Sequence, residues 1–203
     1  MEIEIDNFQE IAKDLRFDSD DDFYFLQILQ RKKDNPTFPQ NNRLVRYYVI
    51  RSLDYFNSIE AEVKAICQAV TARAYISLNR RSFRKCTIAA LTELATIIRS
   101  DQYVHLPSLF TSVAGSTNAD PRKTWIVDLD FKDDDRELSV MGFIKGLEPD
   151  PGINKVEMML ETVHGVHLIT RPFHLQRFKE RFPDIDVHKD NPTLLYFKST
   201  SEV

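Results

Sequence analysis

The alternation of apolar and polar positions is clearest in the second half of the chain, where it predicts strands at 123–131, 155–162, 166–173 and 185–189. Helical periodicity covers 133–149 and 174–182. This β-α-β-β-α-β order predicts an α+β fold of the ferredoxin-like or RRM-like kind, with an antiparallel sheet and helices on one face. A further strand-like run, 193–198, follows a turn at Asp190-Asn191-Pro192, and we expect it to pair with the run before that turn.

The first half has a more helical pattern. Residues 22–33 mix apolar and polar side chains in a way that indicates a helix, and 41–56 opens with asparagine at an N-cap and has apolar residues at helical spacing. Further helices are predicted at 57–70, with Ser58 as the cap, and at 82–100; a strand is predicted at 73–79 and a loop at about 108–122. The resulting division is a helical N-terminal region (1–70), an α/β unit packing on the core (71–122) and an RRM-like unit (123–203), all within one compact domain.

Composition excludes several classes of protein. With 42% hydrophobic and 29% charged residues the chain is ordinary globular material, and a formal net charge of -4 gives no overall basic signature for nucleic acid. The two cysteines, Cys67 and Cys86, are too few for a four-cysteine zinc site and favour a reducing compartment. No apolar leader or membrane-length run is present, so we expect a cytoplasmic protein with no membrane partner.

Two carboxylates interrupt the most hydrophobic predicted strand, KTWIVDLDF. Alternate residues of a strand share a face, so Asp128 and Asp130 are expected to point the same way. Like charges this close repel each other unless a cation or polar ligand lies between them. The alternative is that they cap the following helix, whose first residues are also acidic.

The predicted sheet brings further polar residues to this pair. The usual strand order of the fold is fourth, first, third, second, which places 123–131 between 166–173 and 185–189. His167 and Asp186 lie on those two neighbours and should therefore meet the aspartates on one face. Asp190 competes with Asp186 as a third carboxylate, and His188 shares the face of Asp186 and is an equal candidate.

Candidate anion-binding cations occur in two places. Arg171 lies four residues after His167 and shares its face, so it could hold a phosphate, or it could simply cover the edge of the hairpin. A second group concentrates positive charge where the 73–79 strand meets the 82–100 helix: Arg80, Arg81, Arg84 and Lys85. Positive charge at a helix N-terminus opposes the helix dipole, which hints at an anionic partner; the alternative is a solvated rim.

These motifs together resemble the archaeo-eukaryotic primase superfamily over about residues 70–198. The resemblance is carried by WIVDLD, by GVHLI and by the Ile185-Asp186 pair. It implies that Asp128 and Asp130 are the metal-binding pair, that His167 contacts the phosphates of the incoming nucleotide and that Asp186 is the third carboxylate. The family's usual Ser-Gly-x-Gly-x-His is reduced here to its last Gly-x-His.

The resemblance also implies an activity, namely divalent-metal-dependent transfer of nucleotides from nucleoside triphosphates onto a DNA or RNA strand during replication or repair. Asp128, Asp130 and Asp186 would hold Mg²⁺ or Mn²⁺, and His167, with Arg171 or the Arg80/Arg81 pair, would neutralise the triphosphate. Template contacts are expected from Arg84, Lys85, Arg122 and Lys123. Two alternatives remain open: a non-catalytic RRM-like nucleic-acid-binding or interaction module, and a metal-dependent nuclease.

Overall fold

The computed structural model describes residues 3–39, 41–117 and 120–199, which form a mixed α+β protein with two antiparallel sheets. The strands are β1 (Ile3–Asp6), β2 (Asp22–Arg31), β3 (Asn42–Ile50), β4 (Arg73–Ile76), β5 (Arg81–Ser82), β6 (Trp125–Leu129), β7 (Val156–Glu161), β8 (Val166–Thr170), β9 (Asp186–His188) and β10 (Thr193–Ser199). The helices are α1 (Phe8–Ala12), α2 (Leu53–Ser58), α3 (Glu60–Ala69), α4 (Phe83–Ser100), α5 (Leu109–Ser116), α6 (Asp134–Gly146) and α7 (Leu175–Arg181), with a 3₁₀ turn at Tyr103–Ser108.

The first sheet has the order β1-β10-β4-β2-β3, and the short strand β5 also pairs with β2. Its long strand β2 is buried on both faces. Phe23 and Phe25 pack against α4 and α5, whereas Leu26 and Ile28 face a second core that includes residues of α1, α2 and α3. A strand covered on both sides needs no polar face, so its sequence lacks the period of two by which an exposed strand is recognised.

The expected helical N-terminal region is therefore wrong. Residues 22–31 and 42–50 are the paired strands β2 and β3, and the true helices of this region are short. The aromatic and β-branched residues of both segments favour strands, and burial on both faces hid their period. Ser58 is also not the cap that we expected, because α3 begins at Glu60 and Ile59 is its N-cap.

The second sheet has the order β7-β8-β6-β9, all antiparallel, which confirms the predicted neighbours of the strand that carries the aspartates. Helices α6 and α7 cover one face, where Val127, Leu129 and Leu168 pack against Val140 and Ile144 of α6 and against a phenylalanine of α7. The predicted 155–162/166–173 hairpin and both helices of this half are present.

Two expectations about loops and pairing are corrected. β10 does not pair with β9; it crosses to the first sheet and lies between β1 and β4. The predicted 108–122 loop contains α5, whose Val113 and Ala114 are buried against Phe25 and Cys86. Its polar composition hid this short apolar stretch.

The two sheets share a hydrophobic core. Ile126, Leu160 and Ile169, on the face of the second sheet opposite α6 and α7, belong to the same buried cluster as Leu26 and Ala74 of the first sheet. The candidate site residues described below lie at the end of this face. No helix in the described parts of the chain is long and apolar enough to cross a membrane.

Candidate functional site

Three polar residues form a row across the second sheet. Asp128 on β6 is the direct cross-strand partner of His167 on β8 and, on its other side, of Asp186 on β9. Directly opposed residues of antiparallel strands point to the same face. The sequence-based prediction that these residues share one sheet face is therefore confirmed, although their chemical roles are not tested by it.

A close backbone contact fixes the end of β6. A Cβ added to Gly165, in the turn before β8, would lie 1.9 Å from the carbonyl oxygen of Leu129 and 2.6 Å from that of Phe131. Glycine is thus required because the turn is pressed against the backbone that carries Asp130. This contact places Asp130 just beyond the end of the strand, beside Asp128.

The carboxylate of Asp128 has little hydrogen-bonding support. Its Oδ1 atom is buried, and the polar atom near it is His167 Nε2, at the long distance of 3.4 Å. Burial opposes the ionisation of Asp128, but the neighbouring His167, His188 and Lys33 together keep its pKa below the usual value. A buried carboxylate oxygen that has only a long contact among the described residues is a position where a ligand would be stabilising.

His167 is held between the two sheets. Its Nδ1 atom lies 2.8 Å from the hydroxyl of Thr193, which is fully buried on β10, and its Nε2 atom faces Asp128. His188, on the other flank, brings its Nε2 to 4.0 Å from Asp128 Oδ2. Both imidazoles therefore border the carboxylate of Asp128. His188, which the sequence offered as an equal candidate to Asp186, is one of these two neighbours.

A cavity of about 340 Å³ opens between this face and the first sheet. Asp128, Asp130, His164, His167 and His188 line one side. The other side is contributed by β2, β4 and the chain after β2, and it presents Arg31, Lys33, Arg73 and Tyr75. The volume falls in the range of ligand pockets, roughly 300–1,000 Å³.

The three cations of the far wall differ in how they are paired. Arg73 is bound through two hydrogen bonds to Asp34, at 2.7 and 2.5 Å, and Arg31 donates to the Tyr75 hydroxyl at 3.0 Å. Lys33 makes no ion pair within the described part of the chain. Burial and the nearby Arg73 and Arg31 lower its pKa, against the attraction of Asp34 and Asp130. An anion in the cavity would relieve this crowding of positive charge.

Asp186 has a more open position than Asp128. Its side chain is 76% exposed and lies 3.4 Å from Lys179 Nζ, but it lines, with Asp128 and Asp130, a second cavity of about 250 Å³. Asp190, the competing candidate, accepts hydrogen bonds from Asn79 and Arg81 and lines neither cavity. The structure thus places Asp186, and not Asp190, beside the aspartate pair.

Few protein side chains at this site are arranged to bind a metal ion. Among residues 3–39, 41–117 and 120–199, no group of three or more His, Cys, Asp or Glu side chains is arranged to hold a metal ion. Asp128 and Asp130 nevertheless line the same two cavities, and among the described residues Asp128 Oδ1 has only its 3.4 Å contact with His167. Mg²⁺ in phosphate-transfer sites is commonly held by one or two carboxylates, with waters and substrate phosphates completing its shell.

The two arginines expected to bind the triphosphate have other partners. Arg81 is completely buried, donates to the carbonyl oxygens of Ala114 and Gly115, and pairs with Asp190. Arg80 is also buried and pairs with Asp18, Asp22 and Asp120. Their position corrects the expectation: the charges of these two arginines are neutralised inside the protein, and neither arginine lines the cavity.

The remaining predicted cations lie outside the cavity as well. Arg171 and Arg122 both pair with Glu157, and Arg122 also pairs with Asp14. Arg171 therefore supports the hairpin, which was the alternative role considered for it. Arg84, Lys85 and Lys123 are exposed, so a role in nucleic-acid binding stays a prediction.

The cations of the far wall were missed by sequence reasoning. Arg31 and Lys33 belong to the run Arg31-Lys32-Lys33, which resembled the polar end of a helix because 22–33 was interpreted as one. Once β2 is known to be a strand, this basic run marks the end of β2. Arg31 and Lys33 come to face Asp128 only because the two sheets pack together, and the sequence around them does not show how the sheets pack.

Comparison with known proteins gives no match: no protein-family model, curated protein or solved structure shows significant similarity to this chain.

Proposed function

We propose that the protein is a primase-polymerase-like nucleotidyltransferase that binds a nucleoside triphosphate in the cavity between its two sheets. The observation that carries the proposal is a carboxylate that faces three cations across one cavity: Asp128 lies opposite Arg31, Lys33 and Arg73. Among the described residues, the buried Oδ1 atom of Asp128 has only a long contact, 3.4 Å, to His167 Nε2. A metal-bound triphosphate carries both signs of charge and fits between such walls. The β-α-β-β-α-β order of 125–188 is also the order of an RRM-like catalytic unit.

The triphosphate would be bound by the cationic wall. Lys33, which lacks a partner within the described residues, is the first candidate, because a phosphate gives its ammonium group a counter-charge without breaking an existing ion pair. Arg31 keeps most of its guanidinium donors available after its bond to Tyr75. Arg73, already bound to Asp34 through two hydrogen bonds, would act as a fixed positive charge at the base of the wall.

Asp128 and Asp130 would hold Mg²⁺ or Mn²⁺, with Asp186 close enough to contribute through the second cavity. Bound there, the ion would supply charge neutralisation for the phosphates and activation of the attacking hydroxyl. Because the described residues hold no three-residue metal cluster, substrate oxygens and water would have to complete the shell of the ion.

His167 would contact the phosphates from the same wall of the cavity as the carboxylates. Its hydrogen bond with Thr193 fixes the ring, and its Nε2 faces Asp128, so a neighbouring phosphate oxygen would be within reach of a donor when the imidazole carries a proton there. His188 is positioned to do the same from β9. These roles place the imidazoles as binding and orienting groups.

A sheet-surface RNA-binding module is the less favoured alternative. Such modules stack bases on exposed aromatic side chains of the sheet. Here that face carries Asp128, His167 and Asp186, and much of the rest is buried against the first sheet. The other alternative, a metal-dependent nuclease, would use the same carboxylates. Its product, a shortened strand, distinguishes it from a polymerase, which lengthens the primer.

A templated primer-extension assay with Mg²⁺ or Mn²⁺ tests the proposal. We expect wild type to add nucleotides to a primer, and Asp128→Asn/Asp130→Asn to lose at least about 100-fold in rate, as is usual when charge stabilisation of a transition state is removed. The matched control is Asp54→Asn/Glu93→Gln, which neutralises two exposed acids on α2 and α4 and should keep the wild-type rate.

The other outcomes identify the competing functions. Shortening of the primer or template by wild type, lost in Asp128→Asn/Asp130→Asn, would indicate a nuclease. Neither extension nor cleavage by wild type with either metal would overturn the catalytic proposal and favour a binding module.

A further inference from the structure

The open edge of the first sheet carries an unusual combination of aromatic and basic side chains. β3 is the last strand of the sheet order and pairs with β2 on one side. Residues 42–47 are all exposed, and a concavity of about 530 Å³ runs along the strand and the start of α2. None of the catalytic residues proposed above lines this concavity.

Two tyrosines present their rings to solvent there. Tyr47 is 41% exposed and Tyr55 is 40% exposed, and both line the concavity. The ring of Tyr47 lies 5.7 Å from those of Phe25 and Phe110, which support it from the protein side. A supported and half-exposed ring is a preformed platform on which a flat group can stack without ordering a side chain.

A buried tyrosine borders the same concavity. Tyr48 is 4% exposed, and the guanidinium of Arg46 lies over its ring. Burial raises the pKa of Tyr48 to about 12, and Glu62, the acid beside its hydroxyl, raises it further, so the hydroxyl keeps its proton at neutral pH. Tyr48 therefore forms a rigid, uncharged part of the concavity beside the two exposed rings.

The charge around the tyrosines is mainly positive. Arg43 and Arg51 are exposed and make no ion pair within the part of the chain that the structure describes. The guanidinium of Arg51 lies over the ring of Phe83, the residue before the exposed Arg84 and Lys85.

Acidic groups offset part of this charge. Arg46 is neutralised by Glu62 at 2.7 Å, Asp20 lines the concavity, and Asp54 is exposed beside Tyr55. The four exposed cations Arg43, Arg51, Arg84 and Lys85 outnumber these two acids, which suits the edge to a polyanion.

We propose that the edge of β3 binds a single-stranded nucleic acid, with bases stacked on Tyr47 and Tyr55 and phosphates on Arg43 and Arg51. Asn42, at the start of β3, pairs in register with Arg31, which lines the cavity between the sheets. The nine residues of β3 extend about 30 Å from that point. A strand bound along β3 would thus lead to the proposed nucleotide site, which extends the proposed function without depending on it.

A peptide strand is the less suitable occupant of this edge. Addition of a strand requires unhindered pairing with the backbone of β3, and arginines on an edge strand are a common means of preventing it. Exposed tyrosines and unpaired arginines instead match the two features of single-strand sites, which are stacking surfaces and phosphate contacts.

The test is fluorescence anisotropy with a labelled oligothymidine of roughly 15 nucleotides, at about 50 mM salt and without metal or nucleoside triphosphate. Tyr47→Leu/Tyr55→Leu should weaken binding by at least about fivefold because stacking on two rings is lost. Tyr47→Phe/Tyr55→Phe keeps the rings and should bind as wild type does, which separates the loss of the rings from the loss of the hydroxyl groups. Unchanged far-UV circular dichroism of the leucine variant shows that its weaker binding does not come from misfolding.

The phosphate contacts are tested by salt dependence. Arg43→Gln/Arg51→Gln should reduce the slope of log affinity against log salt by about 1.4, which corresponds to two phosphate contacts to a single strand. The matched control is Tyr103→Leu/Arg99→Gln, an exposed tyrosine and arginine near the far end of α4, and it should leave both affinity and slope unchanged.

Three results would overturn the inference: no binding by wild type, equal binding by the leucine and phenylalanine variants, or equal weakening by the control variant. Binding of a β-strand peptide in place of the oligonucleotide would assign the edge to a protein partner. Because the assay contains no nucleoside triphosphate, oligonucleotide binding with no primer extension would refute the catalytic proposal alone.

Discussion

At the scale of single residues, Asp128 lies at the centre of the candidate site, with His167 and Asp186 directly opposite it on the two strands that flank β6. Arg80 and Arg81 lie outside the site, and both are buried against carboxylates. The neighbours of Asp128 follow from strand order, which a β-α-β-β-α-β pattern implies. A basic cluster in a sequence, in contrast, does not show whether distant acids neutralise it.

Glu157 gives a residue-scale prediction about acid stability. Burial opposes its ionisation, but hydrogen bonds from Arg122 and Arg171 keep its pKa below the ordinary value. Because the folded-state pKa is depressed, the stabilisation is complete above the unfolded pKa, about 4.3, and is lost as pH falls through the folded-state value. Glu157→Gln should therefore lower the free energy of unfolding at pH 7 by about 1–3 kcal/mol, and the difference should shrink toward zero below pH 4.

Urea unfolding at pH 7 and at a pH below 4 measures the difference in the free energy of unfolding between wild type and Glu157→Gln. The control Glu93→Gln, an exposed glutamate on α4, should change stability by less than about 0.5 kcal/mol at either pH. A Glu157→Gln deficit that persists undiminished in acid would show that the charge of Glu157 is not its cause.

At the scale of secondary-structure elements, the second half was predictable and the first was not. Strands β6 to β9 follow clear turns and helices with separate periods, so their pattern determines both identity and order. β2 lies in the middle of its sheet and is covered on both faces, and without alternation it resembled a helix. β10 was identified as a strand but assigned to the wrong sheet, because its pairing with β1 joins opposite ends of the chain.

The turn between β7 and β8 gives a prediction at this scale. Gly165→Ala would put a Cβ into the backbone at the end of β6, and overpacking of this kind costs about 1–3 kcal/mol. Gly142→Ala is the matched control: nothing lies within 4 Å of its added Cβ, and alanine within α6 should stabilise the protein by about 0.5–1 kcal/mol. Thermal unfolding should move in opposite directions for the two variants. An unchanged midpoint for Gly165→Ala would contradict the close contact.

At the scale of the whole molecule, the shared core and the path of β10 join the two sheets. Ile126, Leu160 and Ile169 of the second sheet are buried with residues of the first, and β10 returns from the second sheet to lie inside the first. We therefore expect a single cooperative unfolding transition. Fluorescence of Trp125, the one tryptophan, and far-UV circular dichroism should give coincident curves.

Removal of β10 tests whether this strand is needed for the single cooperative transition. Deletion of residues 193–203 would leave β1 and β4 without their shared neighbour and would remove Thr193 from His167. The shortened chain should show no cooperative transition. Separate transitions for the intact chain, or cooperative folding after the deletion, would contradict a joint core.

The proposed nucleotide site would draw on both sheets, and a thermal-shift titration with Mn²⁺ and a nucleoside triphosphate measures binding there without requiring catalysis. At a hundred times the dissociation constant, binding should add about 2.7 kcal/mol, or roughly 5–11 °C for a chain of this length. Asp128→Asn should lose the metal-dependent shift, and Lys33→Gln, on the opposite wall, should need a higher triphosphate concentration for the same shift. Asp54→Asn should behave as wild type. Binding between the two sheets would be contradicted if wild type showed no shift. It would also be contradicted if Asp128→Asn and Lys33→Gln both showed the same shift as wild type at every ligand concentration.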